Sequence, residues 1–399
     1  MMRGVRITDL EILRVPPSWV WLRVHTDAGI TGLGEPYLEG HPDAVIAEVE
    51  RLGRTLVGRD PRRIEENWRV MYEAGTGYRG GPVTMSAISG VDIALWDILG
   101  KDVGRPIHQL LGGACRERVL VYRSVAGQAP YTVEPGLPYD AGGSHSPGAV
   151  PTPETWSQSA RVLTEKWGFR ALKAHVGGTA NAGGITGVDS VVEVFGALRA
   201  TLGAEFPLAI DIHNPHPSVA RALIEGLVPL RPLFVEEPAP IERIDLLRQI
   251  GHDARVPLAA GERWMGKWDF AAALQTNSLA VVQPDICHAG GITECRKIAA
   301  LAEAAMASVA LHCPLSPLAF AASVQLDATI PNFLVQEHNE VNDTRVDGRT
   351  WIGRGYFRAP FVLDGDGCVA VPEGPGLGVE IDPIGFSRVM ERPWRRARG

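Results

Sequence analysis

From residue 209 to residue 337 the chain repeats one pattern, a short apolar run that ends in an acid or a histidine. The polar residues that end these runs are Asp211, Glu236, Glu262, Asp285, His312 and Glu337. Successive positions lie about 25 residues apart, which is the length of one strand, one helix and their loops in a parallel barrel. The spacing therefore predicts a series of strand and helix units.

A short apolar run bounded by turn residues is typical of a strand that is buried on both faces, as in a parallel sheet covered by helices. In a parallel barrel the carboxyl ends of all strands open onto one mouth. A single polar residue after a strand is usually a capped end or a surface group. Six of them at one spacing predict a shared site at the mouth.

The remaining patterns predict an α/β protein in three parts. Residues 1–117 are expected to form a smaller α+β domain, with an antiparallel sheet over residues 5–36 and helical patterns over 43–71 and 82–99. Residues 118–345 are expected to form a parallel (β/α)-barrel that starts with a strand at 118–125. Residues 346–399 are expected to be a C-terminal segment that packs on the N-terminal domain.

Charge and composition exclude several classes of function. The formal net charge of −7 argues against a nucleic-acid partner and leaves no basic face for an anionic membrane. We expect no apolar run long enough to span a bilayer and no signal peptide. The five cysteines are scattered and form no CxxC pair, so neither disulfides nor structural zinc is expected. The expected location is the cytoplasm.

Three carboxylates, those of Asp211, Glu236 and Glu262, are predicted at three successive strand ends. Brought together, they repel one another unless a cation balances their charge. Oxygen ligands on a rigid frame, with positions left open for water and substrate, suit Mg²⁺ better than zinc. The pattern therefore predicts a magnesium site. Glu237 is the less favoured alternative to Glu236, since only one of these two neighbours can face the mouth.

The catalytic candidates include an acid and a histidine on adjacent predicted strands, Asp285 and His312. A carboxylate that binds one imidazole nitrogen fixes the tautomer and raises the basicity of the other nitrogen, which makes a general base. His213 follows Asp211 by two residues and shares its face, where a second acid or base is useful. Glu337, if it is protonated, could donate a hydrogen bond to an enolate oxygen.

Other residues are candidates for binding the substrate. Lys173 and His175 are two residues apart in the predicted second barrel strand, so both are expected to point into the mouth. Tyr78 and Arg79 precede a predicted helix, and their loop could cover an anionic substrate or be an ordinary helix entry. Residues 126–153 are crowded with Gly, Pro and Ser, and we expect this loop to be either a lid or disordered.

Several longer strings resemble the enolase superfamily, mandelate racemase subgroup. They are residues 15–19, 32–36, 78–82, 234–238, 259–263, 283–294 and 312–317, so the resemblance covers almost the whole chain. It implies a modified TIM (β/α)-barrel with an N-terminal α+β capping domain over residues 1–117 that the C-terminal tail completes, and it implies a homo-oligomer. It also implies one Mg²⁺ per active site on the three acids named above, an Asp285–His312 base, and His213 as the acid that distinguishes the acid-sugar dehydratases. Trp19 and His216 are further candidates for substrate binding.

The reaction that the resemblance implies is removal of water from a sugar acid, an aldonate such as D-galactonate, to give a 2-keto-3-deoxy acid. His312 would take the alpha proton, His213 would protonate the departing beta-hydroxyl, and Lys173 would neutralise the substrate carboxylate. The second strand departs from the family, since it ends in Lys173-Ala174-His175 where racemases have Lys-x-Lys and the galactonate enzymes have Lys-x-Asn. Two alternatives are a racemase or epimerase of a 2-hydroxy acid, with His175 as the base on the opposite face, and a non-catalytic sugar-acid binder.

Overall fold

The N-terminal residues form an antiparallel sheet that packs on helices. The computed structural model of the protein describes residues 4–125, 152–176 and 186–395. Strands β1 (Ile7–Val15), β2 (Trp19–Thr26) and β3 (Thr31–Gly34) lie in that order in the sheet, which confirms the strands predicted over residues 5–36. The helices that follow are α1 (Pro42–Leu56), α2 (Ile64–Glu73), α3 (Pro82–Val103) and α4 (Ile107–Leu110).

The helical pattern over residues 43–71 belongs to two helices and a connection between them. α1 ends at Leu56 and α2 begins at Ile64. Gly58 in the connection has a φ of +85°, a left-handed conformation that glycine adopts at little cost, and Pro61 lacks the amide hydrogen that a helix interior needs. The prediction of helix was therefore wrong for residues 57–63.

Helix α3 corrects a second expectation. By length and composition alone it could cross a membrane, contrary to the expectation that no segment could do so. However, 83% of its apolar window is buried inside the protein. The sheet packs so tightly on this helix that a Cβ added to Gly34 would lie 1.9 Å from the carbonyl oxygen of Gly90. α3 is therefore the core helix of the N-terminal layer.

Within the described residues, eight parallel strands form the barrel. They are β4 (Arg118–Val125), β5 (Leu172–His175), β6 (Leu208–Asp211), β7 (Val235–Glu236), β8 (Leu258–Ala260), β9 (Val281–Val282), β10 (Ser308–Val309) and β11 (Gln336–His338). Neighbours pair in sequence order from β4 to β10, and β11 pairs with β4. The amide of Val309 donates to the carbonyl of Asn332, and the amide of Leu334 donates back to Val309, each at 2.8 Å. These two bonds join β10 to the segment before β11 and close the barrel.

Helices alternate with the barrel strands, as the repeat predicted. They are α5 (Pro153–Arg161), α6 (Thr186–Leu202), α7 (Pro217–Leu227), α8 (Asp245–Gly251), α9 (Gly266–Leu274), α10 (Gly291–Ala304) and α11 (Pro317–Asp327). Several begin with a proline in the first turn, where its missing amide hydrogen has no helical partner to lose. Short pieces extend or precede some of these helices, namely a π turn at Val162–Lys166 and 3₁₀ turns at Val228–Leu230 and Ile241–Arg243, and a further 3₁₀ turn at Glu340–Asn342 follows β11.

The C-terminal residues return to the N-terminal layer. Strands β12 (Asp343–Val346), β13 (Arg349–Ile352) and β14 (Phe361–Val362) form a small antiparallel sheet, β15 (Cys368–Ala370) pairs with β4, and α12 (Pro383–Met390) follows. The indole of Trp394 donates to the carbonyl of Trp19 at 2.9 Å, and the rings of Trp21 and Phe386 stack 5.3 Å apart. The predicted fold class, an α/β barrel with an N-terminal capping domain, is confirmed, while the division at residues 117 and 345 stays a prediction.

Candidate active site

The residues predicted at the strand ends meet at one end of the barrel. Strands β5, β6 and β7 run in register, so His175 lies opposite Asp211 and Asp211 lies opposite Glu236. Asp285 and His312 form an isolated parallel bridge just beyond β9 and β10. Several charged side chains here are at most 9% exposed, and they are Lys173, Asp211, Glu236, Glu262, Asp285 and Glu337. Burial makes the pairing of these charges decisive for the site.

Lys173 lies between two of the acids. Its Nζ is 2.8 Å from Oε1 of Glu236 and 2.9 Å from Oε1 of Glu337, and it lies over the ring of Tyr122. Burial lowers the pKa of Lys173, but Glu236 and Glu337 outweigh this effect and raise it well above its usual value. Lys173 is therefore a fixed cation that two strands share, and it points into the mouth as predicted.

Glu236 has an oxygen that suits a metal ion. Its Oε2 is buried and has no hydrogen-bond partner in the described part of the chain. Burial raises the pKa of Glu236 well above its usual value, and repulsion from Asp211, Glu337 and Glu262 adds to this despite the attraction of Lys173. A cation near Oε2 would relieve both the desolvation and the repulsion. Carboxylate oxygens are the donors that Mg²⁺ prefers, and shared binding of one ion by Asp211, Glu236 and Glu262 stays a prediction.

The neighbouring acid, Glu237, faces a different partner. Its backbone φ is +53°, and its carboxylate accepts from Nη1 of Arg263 at 3.1 Å and from the amide of Gly261 at 3.4 Å. Glu236, in contrast, binds Lys173. Both oxygens of Glu237 have partners, whereas Oε2 of Glu236 has none among the described residues, and this difference supports Glu236 over Glu237 as the ligand.

The two residues predicted as a base are in contact. Nδ1 of His312 donates to Oδ2 of Asp285 at 2.8 Å, while Oδ1 of Asp285 accepts from the amide of Cys287 at 2.7 Å. Nε2 of His312 lies 3.4 Å from Glu262 and 4.0 Å from Glu337. Burial lowers the pKa of His312, yet these acids raise it well above its usual value. The geometry fixes the tautomer of His312 and leaves Nε2 facing the acids of the site.

Glu337 is held on both sides. Its Oε1 binds Lys173, and its Oε2 accepts from the amide of Cys313 at 3.1 Å. Burial raises the pKa of this carboxyl, but Lys173 and His312 have the larger combined effect and the pKa lies below its usual value. The arrangement favours the ionised carboxylate, so donation of a hydrogen bond by Glu337 would first require that it gain a proton.

Two imidazoles flank Asp211. Nδ1 of His175 lies 2.7 Å from Oδ2 of Asp211, and Nδ1 of His213 lies 3.6 Å from the same oxygen. One donor atom from each residue lies within 4.8 Å of the others, which is close enough for a common metal ion. The hydrogen bond to Asp211 is the main reason that the pKa of His175 is raised. His175 therefore occupies the predicted mouth position and contacts a candidate metal ligand directly.

His213 also contacts an arginine that the sequence reasoning did not select. Nη2 of Arg263 lies 2.9 Å from Nε2 of His213 and 2.7 Å from Oε1 of Glu262. Because a guanidinium can only donate, Nε2 of His213 accepts in this arrangement. The backbone of His213 has a φ of +52°, and its amide donates to Oδ1 of Asp211 at 2.8 Å. Arg263 thus links the predicted acid to a predicted metal ligand.

Four of the predicted substrate-binding residues lie outside the barrel strands, namely Tyr78, Arg79, Trp19 and His216. The side chain of Tyr78 is 91% exposed, and that of Arg79 is exposed as well. Trp19 is buried with its ring edge-on to Tyr37, at 5.7 Å between ring centroids. His216 caps helix α7, since its ring accepts from the amide of Ser218 at 3.3 Å. Substrate binding by these residues stays a prediction, as does the lid at 126–153, because residues 126–151 lie outside the described chain.

A second histidine near the base was also missed. His288 is buried beside Asp285 and contacts Glu39 of the N-terminal layer. Arg263 directly follows Glu262 and could have been found from that position. Glu39 could not have been found from the strand repeat, because it comes from a connection far away in the sequence.

Comparison with known proteins identifies the family. Residues 14–112 match the mandelate racemase / muconate lactonizing enzyme N-terminal domain, and residues 156–384 match the enolase C-terminal domain-like family. D-galactonate dehydratases from Ralstonia pickettii and Klebsiella pneumoniae are 38% and 39% identical to this chain, and each alignment covers 99% of both proteins.

Solved structures agree with this assignment. A member of the enolase superfamily from Salmonella Typhimurium superposes with a TM-score of 0.84 at 27% identity, covering 96% of this chain and 98% of that one. A mandelate racemase/muconate lactonizing enzyme-like protein from Roseovarius sp. TM1035 gives 0.83 at 30% identity, covering 98% and 96%. The protein therefore belongs to the mandelate racemase/muconate lactonizing enzyme family of the enolase superfamily.

Proposed function

We propose that this protein is a Mg²⁺-dependent acid-sugar dehydratase, a hydro-lyase that converts an aldonate such as D-galactonate into a 2-keto-3-deoxy acid. The observation that carries the proposal is the adjacency of two units at the barrel mouth. One is a cluster of buried acids around Asp211 and Glu236 in which Oε2 of Glu236 has no hydrogen-bond partner among the described residues, and the other is the Asp285–His312 pair. The relatives that are D-galactonate dehydratases along their whole length support the same reaction class.

Asp211, Glu236 and Glu262 are proposed to hold the metal. When bound, Mg²⁺ supplies positive charge that stabilises the negative charge developing on the substrate carboxylate after proton removal. Lys173 contributes a second positive charge from the other side of Glu236, and it neutralises the substrate carboxylate in part. These four side chains together bind and orient the acid end of the substrate.

His312 is proposed to remove the alpha proton. Its Nδ1 is held by Asp285 at 2.8 Å, so in the neutral imidazole the lone pair is on Nε2, which accepts the proton. The nearby acids raise the pKa of His312 and favour its protonated form, and a cation held by Glu262 would oppose this effect and favour the neutral imidazole that acts as a base. The electron pair of the broken bond passes into the substrate carboxylate and gives an enediolate.

His213 is proposed to protonate the leaving beta-hydroxyl. It lies beside Asp211, one of the proposed metal ligands, with Nδ1 3.6 Å from Oδ2 of that acid. In this structure Nε2 of His213 accepts a hydrogen bond from Arg263. Arg263 must therefore move away from the ring nitrogen that carries the proton before His213 delivers it. Loss of water then gives an enol, which ketonises to the 2-keto-3-deoxy acid.

Two other functions remain as alternatives. A racemase or epimerase would use His175 as the base on the opposite face, and His175 does lie at the mouth with its ring 49% exposed. A non-catalytic sugar-acid binder would not need the paired base that Asp285 and His312 form. A homo-oligomer and a cytoplasmic location also stay predictions, as does the absence of nucleic-acid and membrane partners.

A screen of acid sugars tests the function and its substrate together. The purified protein is incubated with Mg²⁺ and each member of a library of aldonates and related acid sugars, and keto-acid formation is measured. We expect keto acid from at least one aldonate and none after chelation of the metal. Binding of several acid sugars without turnover of any would favour the non-catalytic binder.

A further inference from the structure

A buried histidine of the barrel lies between two carboxylates that come from different parts of the chain. Nε2 of His288 is 3.2 Å from Oε2 of Glu39 and 3.8 Å from Oδ2 of Asp285. Its Nδ1 is 3.1 Å from the hydroxyl of Ser86 in α3. The ring is only 5% exposed. Both nitrogens of His288 are thus occupied by residues of the capping layer, while one edge of the ring faces the catalytic pair.

The oxygen of Asp285 that faces His288 is the same oxygen that binds His312. Oδ2 lies 2.8 Å from Nδ1 of His312 and 3.8 Å from Nε2 of His288, and the other oxygen is fixed by the amide of Cys287. A carboxylate in this position has little freedom to rotate, because each of its oxygens has a defined partner. The orientation of His312 therefore depends on contacts that reach beyond the pair itself.

The charges agree with this geometry. Burial lowers the pKa of His288, but Asp285 and Glu39 outweigh it and raise the pKa to about 9. At neutral pH the ring is then a cation whose Nε2–H donates to Glu39 and whose positive charge lies 3.8 Å from Oδ2 of Asp285. The charged groups that face His288 are Glu39 from the capping layer, Asp285 from its own loop and, across Asp285, His312.

The segment that carries Glu39 is itself anchored to the barrel. Glu35, at the end of β3, is fully buried, and its carboxylate accepts from the amides of Ser316 at 3.2 Å and Ala319 at 3.0 Å. These amides begin helix α11, which follows the loop of His312. The connection from Glu35 to Glu39 therefore touches the loop after His312 at one end and the loop after Asp285 at the other.

We propose that Glu39 and His288 are positioning residues for the catalytic pair, through which the capping domain orients Asp285 and thereby His312. The inference rests on the proposed function of His312 as the base. It assigns to the capping domain a part in assembling the base, in addition to any part in covering the mouth. Neither Glu39 nor His288 touches the substrate in this account.

Nuclear magnetic resonance tests the positioning directly, without any need for turnover. Full-length protein labelled with ¹⁵N-histidine is studied with Mg²⁺ present, and the low-field Nδ1–H signal of His312 is assigned by its loss in His312→Asn. We expect the signal to shift or disappear in Glu39→Ala and in His288→Gln. The matched control is Glu11→Gln, which removes a similar contact at 3.0 Å between Glu11 and His25 within the N-terminal sheet. The control should leave the signal in place.

Kinetics with substrate deuterated at the alpha carbon give a second readout. In Glu39→Ala and His288→Gln we expect kcat to fall about 10- to 100-fold, the range typical when a supporting residue is lost, with KM little changed. The isotope effect on kcat should rise as proton abstraction slows. Rescue by Glu39→Gln, which keeps an acceptor oxygen, should be partial.

The outcomes separate this inference from the proposed function. A His312 signal that stays at the wild-type position in both folded variants overturns the positioning role, whatever the kinetics. A signal that moves in both variants, while the wild type turns over no acid sugar, sustains the positioning role and overturns the proposed reaction. Glu39→Ala is used beside His288→Gln because the side chain of Glu39 is 39% exposed, so this variant is expected to fold even if the substitution of buried His288 does not.

Discussion

The two halves of the site differ in how completely their charges are paired. In the acid half, at the ends of β5 to β7, Lys173 is shared between two acids and Oε2 of Glu236 has no partner among the described residues. In the base half, at the ends of β9 and β10, both oxygens of Asp285 have partners. The acid half is therefore built to receive a cation, whereas the base half is already organised without one.

This difference has an energetic reason. An unpaired carboxylate in a buried site costs several kcal/mol, and such a cost persists only where a ligand offsets it. A base, in contrast, must keep one tautomer and one orientation through each turnover, so fixed contacts benefit it. We therefore expect substitutions in the acid half to lower activity through metal binding, and substitutions in the base half to lower it through proton transfer.

The largest effect is expected from Glu236→Gln. Removing this charge should abolish Mg²⁺ binding in calorimetry and reduce turnover to the detection limit, because the oxygen with no partner is lost as an anionic ligand. The matched control is Glu237→Gln, whose acid pairs with Arg263 instead. Equal loss of Mg²⁺ binding in both variants, or full activity of Glu236→Gln in excess chelator, would contradict the division of roles.

A loss of about 10⁴-fold in turnover is expected from His312→Asn, at the upper end of the range for a general base. Exchange of the alpha proton with D₂O should stop as well, because no earlier step remains to exchange it. Mg²⁺ affinity should change little, since the acid half is intact. If exchange persisted at the wild-type rate, the proton would have to leave from the opposite face, where His175 lies.

A smaller and more selective loss is expected from His213→Asn. Dehydration should fall by about 10²- to 10⁴-fold, as is typical when a general acid is lost, while slow exchange of the alpha proton survives. A substrate analogue with a beta-fluorine needs less help to depart and should recover much of the lost rate. Equal losses with hydroxyl and fluorine leaving groups would show that His213 acts elsewhere, for example by orienting Asp211.

The smallest effect concerns stability. Mg²⁺ at about 100 times its Kd should stabilise the wild type by about 2.7 kcal/mol, seen as a rise in Tm, because the ion binds only the folded protein. Glu236→Gln should lose this rise, yet without metal its stability should be close to that of the wild type, since Lys173 keeps Glu337 as a partner and the repulsion of Glu236 by Asp211 and Glu262 is removed. A metal-free variant that is markedly less stable would mean that Lys173 alone balances the acid half.

The sequence predicted the proximity of the residues in the acid half and in the base pair for a physical reason. Each of these residues follows its own apolar run, and a parallel barrel converts that repeat into proximity. Contacts that join distant segments carry no such signal, and Ser86 with His288 is an example. The break between helices α1 and α2 at residues 57–63 was also missed, because apolar residues keep a helical spacing on both sides of it.

One measurement tests the central claim most directly. The wild type is incubated with D-galactonate and related aldonates in D₂O with Mg²⁺, and the mixture is followed by nuclear magnetic resonance. A dehydratase should give a 2-keto-3-deoxy acid that carries deuterium at carbon 3, where the enol takes up a deuteron from the solvent, with no inverted substrate. Recovery of substrate that carries deuterium at the alpha carbon with inversion, and no keto acid, would contradict the central claim and identify a racemase.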